Sequence, residues 1–327
     1  MPCYSPLKGW KDHETGGIKF RPDGAREKME VACGQCLGCR LDRSRMWAMR
    51  IVHESSLWEI TGGNCFVTLT YRDPVECNED QLRSRFHVPD DWSLQKKHVQ
   101  DFMKRLRKRF DNKIRFFGVG EYGHRCKHGI DLERVGCPLC NVGRPHYHIC
   151  LFNVSFADLV PYGSERGELR YTSPFLESVW KYGFVDVGEL NFASAAYVAR
   201  YCLKKVTGVK SDEHYMQIDL DGCATWVEHE FSLMSRKPGI GRDWYEKYKD
   251  DVFPSDEVPV LGHGVVKGVP RYYEEIFKEE NPLSLEEIKR VRETFRREHA
   301  DEYTPERLMD KYKVKKAKQE LFAPRSL

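Results

Sequence analysis

Two histidines separated by a single residue stand at the start of an apolar run, in the stretch GRPHYHICLF at residues 143–152. A β-strand sends alternate side chains to the same face, so His146 and His148 are predicted to project together while Tyr147 points the other way. Two imidazoles on one face can hold a divalent metal ion. The same spacing also fits two half-buried histidines that are satisfied by hydrogen bonds, and the pair alone does not decide between these interpretations.

A carboxylate at the end of a second predicted strand could complete a metal site. Glu121 falls at the end of the strand predicted for IRFFGVGEYG, residues 114–123. One carboxylate and two imidazoles leave open positions on a divalent ion such as Mg²⁺ or Mn²⁺, to which a substrate oxygen can bind. A glutamate at a strand end is more often a surface residue, but beside the two histidines it becomes a candidate ligand.

Two tyrosines lie four residues apart in SAAYVARYCLKKV, residues 194–206, which is predicted to form a helix. Tyr197 and Tyr201 therefore lie one turn apart on the same helical face, with Lys204 also on that side. Arg200 and Lys205 are close by, and this basic rim favours a polyanion as the ligand. The alternative is a helix that packs two aromatic rings into the core and leaves its cations in solvent.

The remaining periodicity predicts an α+β fold. Too few helices fall where parallel strands would need crossovers, so we expect a central antiparallel or mixed sheet of about five strands, with helices packed on one face of it, and a helical C-terminal extension. Besides 114–123 and 194–206, strands are predicted at 65–74, 146–154 and 183–190, and helices at 43–59, 94–110 and 173–183.

Composition divides the chain into three predicted parts. Residues 1–45 form a Cys-rich, loop-rich arm, residues 46–245 a central domain, and residues 246–327 a charged, mainly helical extension. A Gly- and Pro-punctuated loop is predicted at MSRKPGIGRDW, residues 234–244. Within the extension, residues 271–327 carry 14 Lys or Arg against 13 Asp or Glu, which is typical of a solvated helical segment.

The overall charge indicates little about binding partners, whereas the distribution of charge along the chain is informative. The net charge of +3 over 327 residues is too small to imply a nucleic-acid partner, whereas residues 94–110 carry seven Lys or Arg against one Asp. Lys104, Arg105 and Lys108 of this basic helix are candidate contacts to DNA. The chain has no apolar stretch long enough to span a bilayer and no signal-peptide core, so we expect it to act in the cytoplasm, without a membrane partner.

Twelve cysteines without a secretory signal are predicted to be reduced thiols and metal ligands rather than a disulfide framework. One group has the form C-x-H…C-x₂-C and suits structural zinc, with His124 as an alternative to His128 and a loop of reduced cysteines as the competing interpretation. Its members are Cys126, His128, Cys137 and Cys140. A second, weaker zinc site could combine Cys3 with Cys33, Cys36 and Cys39, although the spacing does not reveal the fourth ligand.

Six short motifs follow one another over residues 30–245: CGQCLGCR, FVTLTY, GEYG, RPHYH, YVARYCLKK and MSRKPGIG. In this order they resemble the replication initiators of microviruses, and in particular of the gokushovirus branch. Those proteins are similar to the HUH superfamily of single-strand DNA endonucleases, which use a histidine pair for metal and a tyrosine as nucleophile. The resemblance implies that His146, His148 and Glu121 bind Mg²⁺ or Mn²⁺, and that Tyr197, Tyr201 and Lys204 are catalytic.

The implied activity is the nicking of single-stranded or origin DNA during rolling-circle replication of a small single-stranded DNA phage genome. Attack by tyrosine would form a 5′-phosphotyrosine link and leave a free 3′-hydroxyl. The implied partners are single-stranded DNA, the replication origin, and the host helicase and polymerase, in the bacterial cytoplasm. The alternatives are a non-catalytic, zinc-containing DNA-binding regulator and a tyrosine transposase of the same superfamily.

Overall fold

The protein is described from a computed structural model, which covers residues 3–12, 17–21, 28–72, 88–89, 91–123, 143–165, 167–201, 211–218 and 224–322. The chain divides into two compact units, one of residues 1–46 with 271–327 and one of residues 47–270. The three-part division at 45 and 245 stays a prediction.

Strands are numbered here in chain order. They are β1 (Leu7–Lys11), β2 (Ile18–Lys19), β3 (Lys28–Val31), β4 (Asn64–Tyr71), β5 (Arg115–Tyr122), β6 (Pro145–Phe152), β7 (Val160–Glu165), β8 (Glu168–Thr172), β9 (Gly183–Gly188), β10 (Met216–Ile218), β11 (Ala224–Trp226), β12 (Phe231–Met234), β13 (Glu257–Val260) and β14 (Gly264–Lys267).

Helices are numbered in the same way. They are α1 (Leu37–Ser56), α2 (Lys96–Arg107), α3 (Pro174–Trp180), α4 (Phe192–Tyr201), α5 (Ser211–Tyr215), α6 (Arg242–Val252), α7 (Arg271–Glu280), α8 (Pro282–Glu298) and α9 (Pro305–Phe322), with a 3₁₀ turn at Ala300–Tyr303.

A seven-stranded sheet of order β12-β5-β6-β4-β9-β8-β7 forms the centre of the 47–270 unit, and its paired strands are antiparallel. The predicted α+β class and antiparallel sheet are confirmed, with seven strands rather than five. The added strands are short or exposed: β7 and β8 form a largely exposed hairpin, and β12 has four residues. Their sequences lack the apolar alternation that identified the inner strands.

The sheet has two different faces. On one, which we call the Tyr147 face, the buried side chains of β4, β6 and β9 pack against α2 and α3 in a single hydrophobic cluster. The helix predicted for 94–110 supplies the α2 side of that cluster through an apolar stripe, and each fully buried side chain stabilises the fold by about 1.5–3 kcal/mol. The buried members of that stripe are Val99, Phe102, Met103 and Leu106.

The opposite face carries His146 and His148, because side chains alternate along β6. We call it the histidine face. Helix α1 packs against it, with the rings of Trp47 and Phe117 4.8 Å apart, and α4 contacts β5 and β6 on the same face. The expectation of helices on one face was wrong, because the inner strands bury apolar side chains on both faces and each face is covered by helices. The two faces therefore separate the basic helix α2 from the histidine pair.

The segment predicted as a loop at 234–244 is flanked by regular structure, since β12 ends at Met234 and α6 begins at Arg242. The guanidinium of the buried Arg115 donates hydrogen bonds to the carbonyls of Pro238 and Gly239, each at 3.1 Å. Arg115 also pairs with the carboxylate of Glu54, which is fully buried. A buried ion pair thus fixes the PGIG part of the last motif.

The unit of residues 1–46 and 271–327 contains a three-stranded sheet of order β2-β1-β3, the start of α1, and helices α7 to α9. The small sheet lies within residues 1–45, which were predicted to be loop-rich; its strands are too short and exposed to show a periodic signal. The predicted helical C-terminal extension is confirmed. Among the residues that the structure describes, no helix is long and apolar enough to cross a membrane.

Candidate metal and tyrosine site

The pairing of β5 with β6 brings the three predicted metal ligands together. In this ladder Glu121 lies opposite His146, and Val119 lies opposite His148. One oxygen of Glu121, Oε1, lies 2.8 Å from Nε2 of His146 and 2.9 Å from Nε2 of His148. Glu121 is 2% exposed and His148 5%, while His146 is half-buried. The site is therefore open to solvent mainly on the His146 side.

The other nitrogen of each imidazole is oriented by a neighbour. Nδ1 of His146 lies 3.0 Å from the carbonyl oxygen of Arg144, and Nδ1 of His148 lies 3.0 Å from the hydroxyl of Thr68. A carbonyl only accepts hydrogen bonds, so Nδ1 of His146 carries the hydrogen and a neutral ring turns its Nε2 lone pair towards Glu121. The Thr68 hydroxyl can accept from His148 in the same way.

This arrangement fits a divalent cation. Two imidazole Nε2 atoms and an anionic oxygen this close together need positive charge between them, either as protons on Nε2 or as a metal ion, and these three ligand atoms lie within 4.8 Å of one another. In most metal-ligating histidines one ring nitrogen binds the metal, and the other donates a hydrogen bond that fixes the orientation of the ring. Three protein ligands on one side would leave room for substrate oxygens on the other.

The electrostatics of Glu121 agree with an ionised ligand. Burial alone would raise the pKa of its carboxyl group, but when protons rather than a metal ion occupy the Nε2 atoms, their hydrogen bonds and positive charge outweigh burial and lower the pKa to about 2. The carboxylate is therefore ready to bind a cation at neutral pH.

Helix α4 brings one of the two predicted tyrosines to this site. The helix starts where Asn191 and Ser194 cap each other, because the Asn191 side chain accepts from the Ser194 amide and the Ser194 hydroxyl from the Asn191 amide, both at 2.9 Å. The ring of Tyr197 packs edge-to-face on that of His148, with centroids 5.1 Å apart. Tyr197 is 38% exposed, so its ring contacts the site and also reaches solvent.

The other tyrosine lies one turn further along α4. Tyr201 is the last residue of the described helix, and its side chain, like Lys204 and Lys205, lies outside the described residues. Arg200 is exposed on the same helix. The roles assigned to these four residues stay predictions.

The three candidate DNA contacts of α2 differ in their surroundings. Lys104 and Lys108 are exposed, whereas Arg105 is half-buried and donates hydrogen bonds to the carbonyls of Val179 and Trp180 at 2.7 and 3.2 Å. Arg105 therefore fastens α2 to the end of α3. Because α2 packs on the Tyr147 face, a DNA strand at the histidine pair would have to pass around the sheet to reach these residues, and their contact with DNA stays a prediction.

The two predicted cysteine sites have different outcomes. Cys126, His128, Cys137 and Cys140, together with His124, lie outside the described residues, so a zinc site there stays a prediction. In contrast, the sulfurs of Cys3, Cys33, Cys36 and Cys39 all lie within 4.8 Å of one another. The structure therefore brings together the second group, which the spacing had marked as the weaker one.

Sequence reasoning missed Thr68, the neighbour of His148. It belongs to the motif FVTLTY, in which Phe66, Thr68 and Thr70 share one face of β4. The β4–β6 ladder places Thr68 directly opposite His148, and Phe66 stacks on the same imidazole at 5.6 Å between ring centroids. The alternation in FVTLTY predicts that Phe66 and Thr68 lie on the same face of β4. The register that places Thr68 opposite His148 cannot be predicted from this motif.

Fold and site together define an α+β protein with a candidate divalent-metal centre beside a tyrosine-bearing helix. The family model described as replication-associated protein ORF2/G2P matches residues 64–130 and 135–206, which include this centre and helix. The chain belongs to the replication-associated proteins of the microviruses.

Three relatives illustrate the family. The chain is 32% identical to replication-associated protein ORF2 of Spiroplasma virus 4 over 314 residues, 90% of this chain and 86% of that protein. It is 30% identical to replication-associated protein VP4 of Bdellovibrio phage phiMH2K over 287 residues, 86% of this chain and 79% of the other. With replication-associated protein ORF4 of Chlamydia phage 1 the identity is 28% over 257 residues, 76% of this chain and 53% of that protein. No solved structure gives a significant match. The family supports a role in the initiation of phage DNA replication.

Proposed function

We propose that this protein initiates replication by cutting one strand of origin DNA, with a tyrosine as nucleophile and a divalent metal ion at the histidine face. The observation that carries the proposal is a single oxygen of Glu121 within 2.9 Å of both Nε2 atoms, next to the ring of Tyr197. Its HUH-type chemistry also rests on the resemblance of the six ordered motifs.

The metal ligands would be His146, His148 and Glu121, with Mg²⁺ or Mn²⁺ as the ion. When bound, such an ion neutralises the charge of a scissile phosphate and polarises its phosphorus–oxygen bonds. The chain prepares this chemistry by fixing both imidazoles through Nδ1 and by keeping the Glu121 carboxyl ionised.

In the proposed reaction the phenolic oxygen of Tyr197 or Tyr201 attacks the phosphorus of the scissile phosphodiester. The bond between phosphorus and the 3′-oxygen breaks, the phenol gives up its proton, and the 3′-oxygen takes one up. The products are a 5′-phosphotyrosine link and a 3′-hydroxyl that a host polymerase can extend. Lys204 is proposed to stabilise the charge that develops on the phosphate.

The test is cleavage of single-stranded oligonucleotides from the cognate genome, with and without Mn²⁺, followed by denaturing electrophoresis. The parent should cut only with the metal. His148→Ala should lose cutting and keep DNA binding nearly intact, because binding rests mainly on contacts between cations and phosphates. Cutting by His148→Ala at the parent rate would refute the metal assignment, and binding without any cutting by the parent would favour the non-catalytic regulator.

A further inference from the structure

The first 46 residues bring four sulfurs together from two separate stretches of sequence. Cys3 precedes β1, whereas Cys33, Cys36 and Cys39 follow β3 and run into the first turn of α1. All four sulfurs lie within 4.8 Å of one another, and all four residues are half-buried. None of them belongs to the 47–270 unit that contains the candidate nuclease site.

The sulfur separations match a tetrahedral zinc site. Zinc lies about 2.3 Å from a thiolate ligand, so two sulfurs of one zinc tetrahedron are about 3.8 Å apart. The Sγ atoms of Cys3 and Cys33 are 3.6 Å apart, and those of Cys3 and Cys36 are 3.8 Å apart. A disulfide would bring two sulfurs to about 2.0 Å. These separations are those of ligands around a shared ion rather than of bonded sulfurs.

Backbone amides around the cluster are arranged to stabilise negative sulfur. The amide of Tyr4 donates to Sγ of Cys36 at 3.3 Å, that of Cys33 to Sγ of Cys3 at 3.3 Å, and that of Cys36 to Sγ of Cys33 at 3.2 Å. Cys39 also lies in the first turn of α1, where the helix dipole favours an anion. Four thiolates this close repel one another unless a cation neutralises them.

We propose that Cys3, Cys33, Cys36 and Cys39 bind one structural Zn²⁺, with Cys3 as the fourth ligand that the cysteine spacing could not identify. Four protein ligands close the coordination sphere, which is the form of structural rather than catalytic zinc. The proposal is independent of the nicking activity, since it concerns the other unit.

The zinc site would also support the C-terminal helix. Tyr4, next to Cys3 in sequence, packs edge-to-face on Tyr312 of α9, with ring centroids 5.7 Å apart. Fixing Cys3 fixes Tyr4, so zinc binding holds the N-terminal residues against α9. Metal loading and the order of α9 are therefore coupled.

The first test is the zinc content of the full chain, purified under reducing conditions and measured by inductively coupled plasma mass spectrometry. Cys36→Ser should contain one equivalent of zinc less than the parent. Cys65→Ser, which changes a buried cysteine of the central sheet, is the matched control and should keep the parent value. Cys137→Ser distinguishes this zinc from any zinc bound by the predicted 126–140 site. If both sites bind zinc, the zinc lost in Cys137→Ser and in Cys36→Ser should add in the double variant.

A second measurement uses the parent alone, so that a folding defect in Cys36→Ser does not obscure the result. The four cysteines should resist alkylation until a zinc chelator is added, and hydrogen exchange in α9 should then become faster. Equal zinc in the parent and Cys36→Ser would overturn the proposal. So would alkylation of the four thiols at the same rate with and without chelator, or a disulfide among them in the reduced preparation.

Discussion

Thr68 and the backbone of Arg144 decide how the two imidazoles are presented. Each contacts an Nδ1 atom at 3.0 Å and leaves Nε2 directed at Glu121. Neighbours of this kind fix the tautomer and the ring orientation of metal-ligating histidines. The metal affinity of the site should therefore depend on a residue that does not itself bind the ion.

We expect Thr68→Val to weaken Mn²⁺ binding by about 10-fold, because loss of the hydroxyl frees the His148 ring to rotate and to change tautomer. Titration calorimetry with the full chain measures the affinity. Thr70→Val, which makes the same change two residues along the same face, is the matched control and should bind like the parent. Equal affinities for all three proteins would show that Thr68 does not orient the ligand.

At this scale the sequence predicted that His146, His148 and Glu121 come together, but not the groups that orient the two imidazoles. The spacing of His146 and His148 and the position of Glu121 were enough, since side-chain alternation follows from strand geometry alone. Thr68 is joined to His148 by the register of two strands about 80 residues apart in the chain. Such long-range register depends on packing of the whole sheet and cannot be obtained from one short motif.

The central residue of the histidine motif links the site strand to the basic helix. Tyr147 is fully buried, and its hydroxyl accepts a hydrogen bond from the amide of Gln95, the residue before α2, at 2.8 Å. The same hydroxyl lies 2.8 Å from that of Tyr71. Burial raises the pKa of Tyr147 to about 12, so the phenol stays protonated. Strand β6 thus presents the candidate metal ligands on one face and anchors α2 on the other.

Tyr147→Phe should lower the free energy of unfolding by about 1–3 kcal/mol, because the amide of Gln95 and the hydroxyl of Tyr71 lose a buried partner. Mn²⁺ affinity should stay at the parent value, since Tyr147 points away from the ligands. Urea denaturation and calorimetry measure the two quantities. Tyr162→Phe, which removes a solvent-exposed hydrogen bond to Asp186, is the comparison and should cost less than Tyr147→Phe, about 1 kcal/mol or below. A stable Tyr147→Phe protein with weakened metal binding would contradict this division of roles.

Among the elements, buried ones were predictable and exposed ones were not. The strands β4, β5, β6 and β9 and the helices α1 to α4 follow apolar periodicity, because each buries one face or both. The hairpin β7–β8 has exposed apolar residues such as Val160 and Leu169, and it pairs at the sheet edge. Its pairing is set by the neighbouring strand β9, which a local pattern does not contain.

At the scale of the 47–270 unit, a buried histidine joins three elements. His53 of α1 is 1% exposed, stacks on Trp244 of α6 with ring centroids 3.5 Å apart, and lies 3.0 Å from the carbonyl of Pro259 in β13. Burial lowers the pKa of His53 to about 3, while the Pro259 carbonyl acts in the opposite direction. The folded protein therefore holds this imidazole neutral.

This burial predicts a loss of stability in mild acid. In the unfolded chain His53 takes up a proton below about pH 6.5, whereas in the folded protein it does so only near pH 3. Above about pH 6.5, His53 should have no effect on the pH dependence of the free energy of unfolding. Between about pH 6.5 and pH 3, this free energy should fall by about 1.4 kcal/mol for each pH unit. In denaturation between pH 7.5 and 5, His53→Gln should show a shallower fall, whereas His263→Gln, at an exposed histidine, should follow the parent. Identical slopes for parent and His53→Gln would contradict the assignment.

The proposed mechanism predicts that a complete cycle of replication requires two tyrosines. Rolling-circle replication needs one cut to start and a second to finish, so an enzyme that stays attached to the 5′ end needs a second nucleophile. The four-residue spacing places Tyr197 and Tyr201 one helical turn apart. Either tyrosine alone should therefore support the first cut, whereas repeated rounds and release of unit-length circles should need both.

The most direct test of the central claim is the mass of the covalent product. The parent is incubated with origin single-stranded DNA and Mn²⁺, the detergent-stable adduct is isolated, and its peptides are sequenced by mass spectrometry. In the parent we expect a nucleotide linked through phosphotyrosine to Tyr197 or Tyr201. Each single Tyr→Phe variant should form its adduct on the remaining tyrosine, and the double variant should form no adduct. An adduct that persists in the double variant, or DNA cut without any covalent link to the protein, would contradict the account.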